Sequence, residues 1–190
     1  RLGKNCMVIP HKEILFGCLS FTWEMIDLAI EDLTQEQIAQ MPSSNSNSIA
    51  WTLWHMSRVF DSLISVHLLG TSQLWESGEW RDQFNIPSGL EDRGVGWSID
   101  AVSDWTPPDK EVLIGYYEVV RKLMTDYIES LTEEEIIRNV DIPVVTQGNP
   151  GIDSRSVGSA VGRRIWDYVT HAGHISYIRG LIQGPGWYIR

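Results

Sequence analysis

Near the end of the chain Asp167, His171 and His174 follow one another at spacings of four and three. At about 100° per residue they fall within about 60° on one helical stripe. Neutral imidazole is a ligand for Zn, Ni, Fe or Cu, and a carboxylate lowers the net charge of a divalent site. His55, set among Trp51, Trp54 and Val59, is the natural fourth member, because bundle metal sites collect inward side chains from facing helices. Three protein ligands leave a coordination position for water or a thiolate, whereas four close the site and make it structural. Arg58, one turn after His55, and Arg179 on the last helix are candidates for holding a substrate carboxylate, with a solvated helix charge as the competing reading of Arg58. His11 and His67 stand alone, as ordinary core or surface histidines do.

Four long helices must position these groups. Ile14, Leu15, Leu19, Trp23, Ile26 and Ile30 recur at threes and fours and predict a first helix over Lys12 to Asp32. Thr34 with Gln37 makes a capping box for a short helix, which Pro42 and the Ser/Asn run 43–47 end. Asn47 or Ser48 caps a second long helix, Ile49 to Leu69, closed by Gly70. A long connection from Thr71 to Asp104 follows, bearing Trp75, Trp80, Phe84 and Trp97, with a helical turn expected near Leu90. The third helix starts after Pro107-Pro108, and Thr132 with Glu135 repeats the capping box behind it. Val140 to Val145 reads as extended, and Gly148 to Gly151 as a turn. Ser156 opens a fourth helix to about Gln183, in which Gly158 and Gly162 mark a close approach of another backbone. Each half thus runs long helix, Leu-Thr-x-Glu-x-Ile (33–38 and 131–136), loop, and a Ser-capped helix bearing histidine. The expected architecture is all-α, a four-helix bundle with a long crossover.

Composition removes several function classes. With 190 residues, 43% hydrophobic and 21% charged, the chain suits a single globular domain, read as an arm over 1–11 and a bundle domain over 12–190. Lys plus Arg number 15 against 25 for Asp plus Glu, a formal charge of −10. Without a basic run, nucleic-acid binding is not expected. No apolar window is long enough to span a membrane. Two cysteines, Cys6 and Cys18, form no CxxC pair and point to a reduced, cytoplasmic setting.

The segment Ser48-Ile49-Ala50-Trp51-Thr52-Leu53-Trp54-His55-Met56 resembles the second-helix ligand motif of the DinB/YfiT-like metalloenzyme family. Residues 166–181, Trp-Asp-Tyr-Val-Thr-His-Ala-Gly-His-Ile-Ser-Tyr-Ile-Arg-Gly-Leu, resemble its last helix in the branch related to mycothiol-dependent isomerases. The resemblance implies a DinB-like four-helix bundle, a divalent ion (Zn or Ni), a homodimer and a small-molecule substrate. It also implies a thiol-dependent transferase or isomerase using mycothiol, bacillithiol or glutathione. By position His55 is the second-helix ligand, Asp167 stands where that branch has glutamate, and His171 at its next ligand. The larger branch has HxxxH followed by Gln; here Thr170 and Tyr177 take two of those places, so the last helix supplies Asp167 with His171, or His174 with one of them. The alternatives from other classes are a non-catalytic bundle whose metal is structural or absent, and a metal-dependent hydrolase that needs no thiol.

Overall fold

The computed structural model describes residues 11–90, 93–146 and 149–188. Most of the expected arm, with Cys6, and Gly148 of the expected turn lie outside that range. Helix α1 (His11–Ile30) and the short α2 (Gln35–Ala39) lead to α3 (Ile49–Asp61), which a π-helical stretch, Ser62–Leu68, prolongs. The crossover holds α4 (Leu74–Ser77), a 3-10 turn (Arg81–Gln83) and α5 (Ile99–Asp104). Then come α6 (Lys110–Ser130), α7 (Glu133–Ile137), an antiparallel hairpin of β1 (Asn139–Thr146) and β2 (Asn149–Ser156), and α8 (Val157–Gln183). Helix α1 packs on α8, α8 on α3 and α3 on α6, with a lighter contact between α1 and α6 closing the ring.

Local chemistry sets the helix starts. The Ser48 hydroxyl accepts from Trp51 N at 3.1 Å, and that of Ser156 from Ser159 N at 3.2 Å, each satisfying an orphan donor of a first turn. Thr34 and Gln37 complete their reciprocal box. Thr132 caps α7 through Glu135 N, but the Glu135 carboxylate turns to Arg138, at 2.7 and 2.8 Å. Inside the bundle Leu19, Ile26, Leu53, Trp54, Tyr116, Met124, Ala172 and Ile175 are fully buried.

The expected helical bundle with its long crossover is present, and the extended stretch expected at Val140 to Val145 pairs with residues 149–156 as a small hairpin. Two expectations need correction. The segment near Leu90 is a turn, closed by Leu90 N to Pro87 O at 3.3 Å, and the crossover helices form on either side of it. Of the two α8 glycines only Gly158 meets a neighbour: an added Cβ would lie 2.8 Å from Ile136 Cγ2, whereas Gly162 faces open space.

Candidate metal centre

His55 sits on the face of α3 that meets α8. Its ring stacks on Trp51, with centroids 4.8 Å apart and planes 13° from parallel. Its Nδ1 pairs with the Arg93 carbonyl, delivered by the crossover 38 positions along. A carbonyl only accepts, so Nδ1 carries the proton and the lone pair is on Nε2, the tautomer a ligating histidine needs. Gly94 makes this contact possible. Its φ is +82°, and a Cβ there would lie 2.7 Å from the Trp51 ring and 2.9 Å from that of Trp54. The crossover therefore lies directly on α3 beside His55.

Across the helix interface stands His171, edge-on to His55 with centroids 5.0 Å apart. His174 follows, exposed, at 5.5 Å from His171. With metal–nitrogen bonds of about 2 Å, two imidazoles on one tetrahedral ion have centroids about 5 Å apart. Asp167 Oδ1 lies 3.7 Å from His171 Nε2, and its Oδ2 3.5 Å from Arg164. His171 Nδ1 is buried and has no hydrogen-bond partner. Burial pushes the His171 pKa down to about 4, helped by His55 and then His174, while Asp167 works in the other direction. A neutral imidazole with an orphaned buried nitrogen beside a second imidazole and a carboxylate fits a divalent ion by donor chemistry. The donors are not gathered into a ready cage: among the described residues, no three His, Cys, Asp or Glu side chains stand placed to hold a metal ion. Beside His174 opens a cleft of about 440 Å³, walled by Asn45, Asn47 and Thr52 on one side and Tyr177, Ile178 and Leu181 on the other.

The two arginines expected at a substrate carboxylate are both buried. Arg58 is 0% exposed and held by Asp61 (3.4 Å), Gln73 Oε1 (3.0 Å) and Tyr116 Oη (3.1 Å), its guanidinium 4.3 Å above the Trp75 ring. This is a core network and not a solvated charge. Arg179 is 3% exposed, bonds Gln183 on its own helix, and leaves its Nε unpaired. Neither lines the cleft beside His174.

Residues that the sequence did not single out also shape this site. The Arg93 carbonyl and Gly94 are legible only once the crossover is folded. Arg164, by contrast, sits three residues before Asp167 on the same stripe, a spacing that could have flagged it. His67, on the π-helical stretch, is lowered in pKa by burial and by the charges of Arg93 and Arg164.

The arrangement defines a class: a helical bundle with histidines that meet from two facing helices. The DinB superfamily profile matches residues 19–175, and the chain belongs to that superfamily. The fold is similar to that in a crystal structure of a conserved protein from Enterococcus faecalis, with a TM-score of 0.74 and 21% identity. That match covers 92% of this chain and 98% of the other and speaks to the fold alone. No curated protein matches.

Proposed function

We propose that the chain is a metal-dependent enzyme in which His55 and His171, joined by Asp167, His174 or both, hold one divalent ion, zinc or nickel. The observation that carries the reading is the edge-on His55–His171 pair, at a separation two imidazoles on one ion adopt, with His171 Nδ1 orphaned. A bound ion would supply Lewis acidity, lowering the pKa of a small thiol or of water for attack on an electrophile. The chain's own part is positional. Arg93 O fixes the His55 tautomer, Trp51 fixes its ring plane, and the Asn- and Ser-bearing loop opposite Tyr177 bounds the cleft in which a small substrate would lie. By the mycothiol-isomerase resemblance the reaction is thiol-dependent transfer or isomerisation. Hydrolysis is the competing chemistry and requires no thiol. The dispersed donor set favours a second reading, a bundle that is not catalytic.

Metal content separates these readings. Protein purified without chelator or His-tag should carry one ion per chain, lost in His55→Ala and His171→Ala and kept in His67→Ala. Metal-free wild type that takes up no ion on reconstitution would overturn the proposal. Turnover of a small electrophile only in the presence of a low-molecular-weight thiol assigns the transferase reading.

We also propose a homodimer through the outward face of α1 and α8. Phe21, Trp166 and Tyr177 are 69%, 68% and 70% exposed there, with Val169 and Leu181 beside them. Aromatic side chains of about 150–250 Å² each supply much of the about 800 Å² per partner that a stable interface needs. Sedimentation should give a dimer for wild type and a monomer for Trp166→Arg; a wild-type monomer at micromolar concentration would refute it.

A further inference from the structure

We infer that Asp167 is a positioning residue of the metal centre and not one of its ligands: backed by Arg164, its carboxylate sets the tautomer of His171, so that Nδ1 is the nitrogen left for the ion. The inference deepens the proposed metal-dependent reading, on which it rests, and by it the third protein donor is His174.

Arg164, Asp167 and His171 stand one above another on α8, at spacings of three and four. Asp167 divides its two oxygens between the other two. Oδ2 lies 3.5 Å from Arg164 Nη1, and Oδ1 lies 3.7 Å from His171 Nε2. Both neighbours belong to its own helix, so the carboxylate lies along α8, whereas His55 approaches from α3. Arg164 holds it there. The contact joins opposite charges, and with the side chains 32% and 29% exposed the pair is only partly screened by solvent.

The oxygen that faces His171 decides where that ring keeps its proton. At 3.7 Å the contact is longer than a hydrogen bond, yet charge still separates the two tautomers. An N–H directed at a carboxylate is attracted, and a lone pair directed at it is repelled. Nε2 therefore carries the proton, and the lone pair falls on Nδ1, which is buried without a hydrogen-bond partner. His55 shows the same division in reverse order: its Nδ1 donates to the Arg93 carbonyl, and Nε2 keeps the lone pair. Each imidazole is turned by an oxygen on one nitrogen and offers the other, as metal-ligating histidines do when an outer carboxylate or carbonyl orients them. A ligand role for Asp167 would instead put Nε2 beside the ion. The proton would then sit on the buried Nδ1, a donor with nothing to receive it.

The test reads the ring and the ion separately, on the full chain. Metal-free protein labelled with ¹⁵N in histidine, followed by long-range proton–nitrogen NMR at neutral pH, should show His171 as the Nε2–H tautomer and His55 as the Nδ1–H tautomer. Arg164→Gln should leave His171 a mixture of tautomers, which Arg164→Lys restores to one. Co(II) titration then follows affinity and visible spectrum. Asp167→Asn, whose amide oxygen can still face Nε2–H, should lose about tenfold or less in affinity and keep the wild-type spectrum. His174→Ala should lose about a hundredfold or more and change the spectrum. An Asp167→Asn protein that loses as much affinity as His171→Ala, or whose spectrum changes, makes Asp167 a ligand and overturns the inference. So does a His171 that carries its proton on Nδ1. A wild type with the expected tautomers that takes up no ion overturns the metal reading alone.

Discussion

Arg58 and Asp61 lie one and two turns beyond His55 on the same helix, yet the two polar clusters are opposites in how completely their groups are paired. Asp61 is fully buried and accepts from Leu74 N (3.0 Å), Trp75 N (2.8 Å), Ser65 Oγ (2.9 Å) and Tyr116 Oη (2.9 Å), besides pairing with Arg58. It ties the crossover and α6 to α3, and its charge is balanced within the core. The histidine cluster is half-buried, carries an unpaired ring nitrogen on His171, and shares the Asp167 carboxylate with Arg164. A polar cluster with all its bonds made contributes order, while one left short of partners keeps a capacity to bind. The first holds the crossover down, and the crossover in turn fixes His55 through the Arg93 carbonyl, so the satisfied cluster positions the unsatisfied one.

Breaking one partner of the buried pair should have the largest effect. Asp61→Ala leaves Arg58 charged in the core and should cost about 3–5 kcal/mol of unfolding free energy, read by urea denaturation. His171→Ala in the other cluster should cost far less, because it leaves no buried charge behind. Equal losses would erase the distinction between the two clusters.

Acid should act on the histidine cluster next. The folded pKa of His171 lies below the ordinary value, so the unfolded chain binds its proton first as pH falls. The contribution of His171 to stability is therefore complete above pH about 6.5 and falls away down to about 4, a loss of about 1–3 kcal/mol. Measured as a difference between wild type and His171→Ala, which cancels the carboxylates, stability should converge toward acid. A difference independent of pH across that window would contradict the burial argument.

An effect of similar size should come from the link between the clusters. Gly94→Ala places a Cβ against two tryptophans at positive φ and should cost about 1–3 kcal/mol, with metal affinity falling as the Arg93 carbonyl leaves His55. If stability drops while metal affinity holds, the crossover does not set the His55 geometry.

The helices were legible because their causes are local. The apolar stripes and the caps at Thr34, Ser48, Thr132 and Ser156 need only neighbouring residues, and each of those caps forms. The second hairpin strand was not legible. Residues 149–156, Asn-Pro-Gly-Ile-Asp-Ser-Arg-Ser, have little apolar alternation and become a strand by pairing with 139–146. The same limit hid the fate of Arg58, since its spacing to Asp61 is visible but Gln73, Trp75 and Tyr116 arrive through the crossover and α6. His55 and His171, 116 positions apart, stand edge-on at 5.0 Å, while among the described residues no three candidate ligands are gathered into a ready cage.

Whether His55 and His171 share one ion is tested most directly by a metal-binding cycle. Apo wild type, His55→Ala, His171→Ala and the double variant are titrated with Co(II) and followed by its visible absorption. One ion per chain should bind to wild type, each single variant should lose about a hundredfold or more in affinity, and the double variant should lose no more than either single one. Losses that simply add, or single variants that bind as wild type does, would show that the two imidazoles do not act on a common ion.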